Sequence, residues 1–198
     1  MAIYPENKIV PRGFETDEMI IRPLQTTDVE ADYEAIMESR EMLRIWDQSE
    51  WPEDDFTMED NLSDLQDHQN EHEARESFTF TVMDPVYHTC LGCVYIYGLR
   101  GILRALGAAD DDLETVEKSD AYVTFWVRSS RLADGLDQRL LHQLVEWFEH
   151  EWAFARIAWG TNTADQHQMA LFVKAGLVET WRLSIADSQE SHLIHTQP

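Results

Sequence analysis

Positive charge is what this chain has least of. Its only lysines are Lys8, Lys118 and Lys174, and 15 basic side chains stand against 38 acidic ones in 198 residues, a formal net charge of -23. A surface of that sign repels nucleic acid and anionic membranes, so neither is an expected partner. Cysteine is almost missing, with Cys90 and Cys93 the sole pair. In an extended segment an offset of three sends their side chains to opposite faces, which suits neither a zinc half-site nor a redox turn. Two small buried apolar residues and no metal are therefore expected. No apolar run approaches the roughly 18 residues that a membrane span requires. The first ten residues hold Pro5, Glu6 and Asn7 where a secretory leader needs an apolar stretch, and the expectation is a cytoplasmic protein. Repeats and low-complexity tracts are absent.

What is present is enough apolar material for a core. Hydrophobic residues make up 43% and aromatic ones 11%, with 7 tryptophans, which offsets the entropy of ordering the chain. A single domain over 1–198, with its core about 19–185, is expected. The acidic excess fits a solvated surface, adaptation to high salt, or a taste for cationic substrates, and composition does not separate these.

Met19 to Pro23 is a short apolar strand that leads through a capping box at Thr27 and Glu30 into a helix with Val29, Tyr33, Ile36 and Met37 on one face. A second helix covers Glu41 to Asp47. After the break at Trp51-Pro52, Thr57 with Asp60 opens a polar helix to about Arg75. Ser77 to Met83 and Leu91 to Leu99 alternate as a hairpin across Asp84-Pro85. Arg100 to Ser119 reads as an acidic inserted loop with one short helix at Ile102 to Leu106. Ala121 to Arg128 is the strongest strand pattern. It precedes a helix whose broad apolar face carries Leu136, Leu140, Leu144, Phe148 and Trp152. A strand at Ile157 to Thr161, a helix around Met169 to Val173 stopped by Gly176, and a last strand at Val178 to Ile185 complete the pattern. The tail after Asp187 is expected to fray.

The chemistry concentrates where the strongest strand meets the helix after it. A short loop that ends at a helix N-terminus gathers free amides and the positive end of the helix dipole, which is a general anion site. Ser129 and Ser130 open that loop, and Gly135 lets a phosphate approach the backbone.

From Met19 to Ile185 the order of elements resembles the GNAT superfamily of acyl-CoA-dependent N-acyltransferases. The family's phosphate loop, V-x-P-x-x-[RQ]-G-x-G-[IL]-G, falls on Val127, Ser129, Leu132, Ala133, Gly135, Leu136 and Asp137, of which Val127, Gly135 and Leu136 match. Leu132 replaces the usual Arg or Gln, Ala133 and Asp137 replace glycines, and Asp134 adds charge. Asp165 to Leu177 is similar to the second signature, N-x-x-A-x-x-L-Y-x-K-x-G-F, with Asp165 in the Asn slot and Phe172 in that of the tyrosine that protonates the leaving thiolate. The resemblance implies an α/β GNAT fold, a mixed central sheet flanked by helices on both faces, with acetyl-CoA as substrate. It also implies a cofactor cleft on Phe125, Trp126 and Val127 and a diphosphate loop from Ala133 to Asp137, with Arg128 and Arg131 as phosphate ligands.

Phe172 has no proton to give, but a thiol of ordinary pKa leaves tolerably without an acid. An acceptor amine must lose a proton before attack, and Glu53, Asp54, Glu73 and Asp120 are the candidate bases. His68 and His72, four apart on the polar helix, read as a solvated face without a third metal ligand. The implied reaction is direct acetyl transfer to a small amine or a peptide N-terminus. A cationic acceptor is favoured if the acids of Trp51 to Asp55 and Asp110 to Glu117 rim its mouth, and a homodimer is compatible with this reading. The rival is a CoA-binding or ligand-sensing module with little or no transfer activity.

Overall fold

A computed structural model describes residues 2–186 and 188–198. In chain order the elements are β1 (Phe14–Glu15), β2 (Ile20–Pro23), α1 (Val29–Glu38), α2 (Arg40–Asp47), α3 (Met58–Ala74), β3 (Phe78–Met83), β4 (Cys90–Gly98), α4 (Leu99–Ala105), α5 (Asp110–Glu114), β5 (Asp120–Val127), α6 (Leu136–Glu151), β6 (Arg156–Asn162), α7 (Gln166–Lys174), β7 (Val178–Ser184) and β8 (Ser191–Thr196). The strands form one eight-stranded sheet in the order β1-β2-β3-β4-β5-β6-β8-β7. Among the described residues only the β5–β6 pair is parallel, joined by α6 as crossover. No helix among the described residues is long and apolar enough to cross a membrane.

Strand alternation sorts the side chains into two cores. On one face Phe80, Val94, Ile96, Val123 and Phe125 pack against Leu136, Leu140, Leu144 and Phe148 of α6 and against Leu171 and Phe172 of α7. Each such burial contributes about 1.5–3 kcal/mol. On the other face α1 and α2 bring Ala35, Ile36 and Leu43 onto Met83, Cys90, Cys93 and Trp126. Farther along that face α4 and α5 set Leu103 and Leu113 on Ala158, Trp181 and Ile194. Between these two helical patches Tyr95, Tyr97, Tyr122 and Thr124 stay half-buried. Gly160 makes room there, because a Cβ would fall 1.9 Å from the Tyr122 hydroxyl.

Several expectations change. The inserted segment holds two helices, α4 and α5, anchored by apolar residues that its acids obscure in sequence. The tail does not fray: β8 inserts between β6 and β7 and buries Leu193 and Ile194, an adjacent pair that hides the strand period. The first capping box forms two residues earlier, with the Gln25 amide donating to Asp28 Oδ2 at 3.0 Å. The α3 box is as expected, with Thr57 Oγ1 accepting from the Asp60 amide at 3.2 Å. His68 and His72 do not form a solvated face. His68 Nδ1 lies 3.2 Å from Thr79 Oγ1, and His72 packs on Phe78 and Phe80 at 5.0 and 5.3 Å.

The cysteines also depart from expectation. Val82 pairs with Gly92 but Met83 pairs with Cys90, so Leu91 is an extra residue in a β-bulge. The bulge resets the alternation and turns Cys90 and Cys93 to the same face. It depends on glycine, since Gly92 has φ +152° and a Cβ there would lie 2.1 Å from the Trp126 carbonyl oxygen. Both thiols reach the buried Asp32 of α1, whose carboxyl is pushed up to about 6 by burial against the hydrogen bonds that it accepts.

Candidate active site

β5 is held on both edges at its start and on one edge at its end. It pairs with β4 throughout, from Ala121 opposite Gly98 to Val127 opposite Gly92, but its parallel pairing with β6 stops at Val123 opposite Trp159. Beyond that point the two strands diverge, and Phe125, Trp126 and Val127 present a free backbone edge toward α7. The Phe125 carbonyl accepts from Gln168 Nε2 at 2.9 Å, so a side chain takes the place of the missing strand. Gln168 Oε1 and Trp46 Nε1 are buried and have no hydrogen-bond partner among the described residues. They line a hollow of about 40 Å³ together with Val127, Leu132, Asp137 and His167. That is the room of a water molecule or so, too small for an acyl chain until Gln168 moves.

At the end of β5 the chain turns through a short 3-10 helix, Ser129–Arg131, and Gly135 caps α6 with φ +69°. Six amides of this stretch are already used. The Ser129 amide donates to Ser39 Oγ at 3.0 Å and that of Ser130 to Glu38 Oε1 at 3.4 Å, while those of Arg128, Arg131, Leu132 and Gly135 find backbone carbonyls. The amides of Ala133, Asp134, Leu136, Asp137 and Gln138 have no partner among the described residues and point from the loop and the first turn of α6. Free amides thus gather at the N-terminus of a helix that starts at Leu136.

Neither arginine assigned to phosphate is a free cation. Arg128 is paired with Glu38 at 2.6 Å, which holds that carboxyl below the usual range, and Arg131 lies 3.0 Å from Asp134 and 3.9 Å from Asp84. Asp137 is buried and bonded to His167 Nε2 at 2.6 Å, so its charge is partnered rather than aimed at the loop. Asp165 caps α7 by accepting from the Gln168 amide at 2.9 Å, and burial raises its carboxyl. Beside the loop a larger hollow of about 720 Å³ opens between α6, α7 and the β1–β2 turn, with Arg139 and Lys174 on its wall.

Phe172 is fully buried, 6.3 Å from Phe125 and edge-on to His195 at 5.3 Å, and does not line the hollow. The slot that the resemblance gives to a proton donor therefore does not open on the hollow, because the inward face of α7 packs Phe172 directly onto the sheet. Asp120 lies at the closed start of β5, buried, accepting from the Glu117 amide at 3.0 Å with Arg156 3.5 Å away. The structure does not bring it to the hollow. Glu53 and Glu73 are exposed, Glu73 accepting from Gln69 on its own helix, and Asp54 is paired with Arg44 at 2.8 Å. Sequence reasoning missed Gln168, His167, Glu38 and Ser39. Gln168 had a signal: at helical spacing it shares the inward face with Leu171 and Phe172, a polar residue where apolar ones belong.

No protein-family model matches this chain, and no curated protein matches it. Solved structures do. A ribosomal-protein-S5-alanine acetyltransferase from Vibrio fischeri superposes with a TM-score of 0.69 at 18% identity, over 93% of this chain and 95% of that one. RimL, a ribosomal L7/L12 alpha-N-protein acetyltransferase in complex with coenzyme A, gives 0.72 at 12% identity, over 96% and 97%. The microcin C7 self-immunity acetyltransferase MccE, in complex with acetyl-CoA and AMP, gives 0.71 at 13% identity, over 96% and 98%. The chain therefore has the GNAT acetyltransferase fold, a mixed sheet with helices on both faces.

Proposed function

We propose that this chain is an N-acyltransferase that moves an acetyl group from acetyl-CoA to an amine by direct attack. The observation that carries the reading is the free edge of β5 at Phe125 to Val127, beside the amides of Ala133, Asp134, Leu136, Asp137 and Gln138, which have no partner among the described residues. An extended pantetheine arm would pair with that edge as an added strand once Gln168 swings away, and the diphosphate would lie on the amides at the start of α6. The nucleotide end would lie in the hollow between α6 and α7, with Lys174 on its wall and Arg139 held there by Glu18 at 2.7 Å. The acceptor would come from the opposite face, over the half-buried strip of Tyr95, Tyr97 and Tyr122. A small amine or a peptide N-terminus fits this reading, and the net charge of -23 favours a cationic one. The nitrogen attacks the thioester carbonyl, its proton passes to a carboxylate or to water, and the thiolate leaves and takes up a proton from solvent. No covalent enzyme intermediate is needed, and Cys90 and Cys93, buried under α1, are not offered as nucleophiles.

A second reading has its own observation. The cleft is filled by Gln168 and Phe172 carries no acid, so a module that binds CoA with little transfer also suits the site. One experiment covers both: calorimetric titration with acetyl-CoA and CoA, followed by thiol release against a panel of amines and peptides. Binding with amine-dependent thiol release supports the enzyme, and binding without turnover supports the module. Failure to bind either ligand at low salt overturns both.

A further inference from the structure

The bulge in β4 assembles a group of side chains that the acyl-transfer reading does not use. Cys90, Cys93 and Asp32 each offer one ligand atom, and the three atoms lie within 4.8 Å of one another. Asp32 Oδ1 faces both thiols, 3.4 Å from Cys93 Sγ and 3.8 Å from Cys90 Sγ. Metal–sulfur and metal–oxygen bonds of about 2.3 and 2.0 Å would, in a tetrahedral site, hold sulfur and oxygen about 3.5 Å apart. The two sulfur–oxygen spacings are thus already close to that edge. The other carboxylate oxygen, Oδ2, is fixed by Asn61 Nδ2 at 3.1 Å, which orients Asp32 toward the sulfurs. The Thr81 hydroxyl lies 3.7 Å from Cys90 Sγ, near the fourth position of such a tetrahedron. Asp32, Cys90, Cys93 and Thr81 are all buried.

We propose that Cys90, Cys93 and Asp32 form a structural site for a thiophilic divalent ion of the zinc type, which ties β4 to α1 beneath the candidate cleft. Two soft sulfurs and one carboxylate select a borderline-soft cation over magnesium or calcium. Binding releases two protons per ion, as the two thiols become metal thiolates and Asp32 binds as its carboxylate. The site has no face open to solvent, so its role is to hold structure. Cys93 pairs across the sheet with Trp126, so the ion would stiffen the strand pair under the hollow.

The test is metal content and cadmium titration of the full chain. Protein refolded with zinc and passed over a desalting column should hold about one ion per chain by mass spectrometry of the elements, as a closed structural site does. Cadmium should produce the ultraviolet sulfur-to-metal charge-transfer band. Cys93→Ser should abolish both, and Asn61→Ala should weaken affinity roughly tenfold or more, as loss of a group that orients a ligand does. The metal should raise Tm in the wild type and not in Cys93→Ser, whose fold is checked by circular dichroism. A wild type that retains no ion and gives no cadmium band would overturn the proposal, as would equal binding by Cys93→Ser, which would assign the metal to surface histidines. An intact mass showing a Cys90–Cys93 disulfide in the zinc-refolded chain would also overturn it.

Discussion

The two ends of β5 differ in how their backbone is satisfied. At its start, Asp120 to Val123 lie between β4 and β6, and the Asp120 carboxylate also holds the incoming turn at Glu117. At its end, Phe125 to Val127 pair with β4 alone, and a glutamine side chain stands in for the second strand. One strand therefore is anchored on both sides at one end and carries a free edge at the other. A buried carbonyl seldom goes without a donor, and here a side chain supplies the hydrogen bond that a second strand would have given.

Phe172 spans the contrast and should give the largest effect, because it packs α7 on both Phe125 and His195. Phe172→Ala is expected to cost about 3–5 kcal/mol in denaturant unfolding. A loss under about 1 kcal/mol would mean that α7 is not held by this ring. Phe172→Tyr should also destabilise, since its hydroxyl enters apolar packing rather than a channel.

At the closed end, Asp120→Ala leaves the Glu117 amide without its acceptor and should cost about 1–3 kcal/mol. Acetyl-CoA affinity should not change. A large drop in affinity with an unchanged Tm would bring Asp120 into the binding site and dissolve the contrast.

The open end should respond in the opposite sense. Gln168→Ala removes the provisional partner of Phe125, so stability should fall by about 1 kcal/mol while acetyl-CoA binds roughly fivefold tighter. Calorimetry decides this, and weaker binding would make Gln168 a ligand contact instead of a plug.

The smallest effect is expected away from β5, at His72. Burial against Phe78 and Phe80 lowers its pKa from 6.5, so it is neutral in the fold and titrates earlier in the unfolded chain. Its contribution is fully present above pH 6.5 and is lost as pH falls through the depressed folded value. His72→Phe should flatten that part of the acid limb in a series of melts from pH 7 to about 5. An identical slope would show that other groups carry it.

Much of the architecture was legible because it rests on local periodicity. The apolar stripe of α6, the β5 pattern and the Thr57 cap each depend on neighbours within a few residues, and each forms as expected. The turn into α6 was legible for the same reason, since Gly135 and the helix after it are contiguous. What sequence reasoning missed lies between distant segments. Glu38 and Ser39 reach the loop across about 90 positions, at separations of 90 and 92 residues. Gln168 meets Phe125 across 43.

The sequence by itself determined most of the helices and strands between β2 and β7, the acidic excess, and a helix start at Gly135. Only the tertiary structure decided that Arg128 and Arg131 are already paired, that Phe172 is core, and that the chain after Asp187 returns as a strand. It also decided that a one-residue bulge turns both cysteines toward Asp32. The physical reason is range. Backbone preference and side-chain period act over a few residues, whereas pairing partners, burial and electrostatic environment are set by which surfaces meet when the sheet closes.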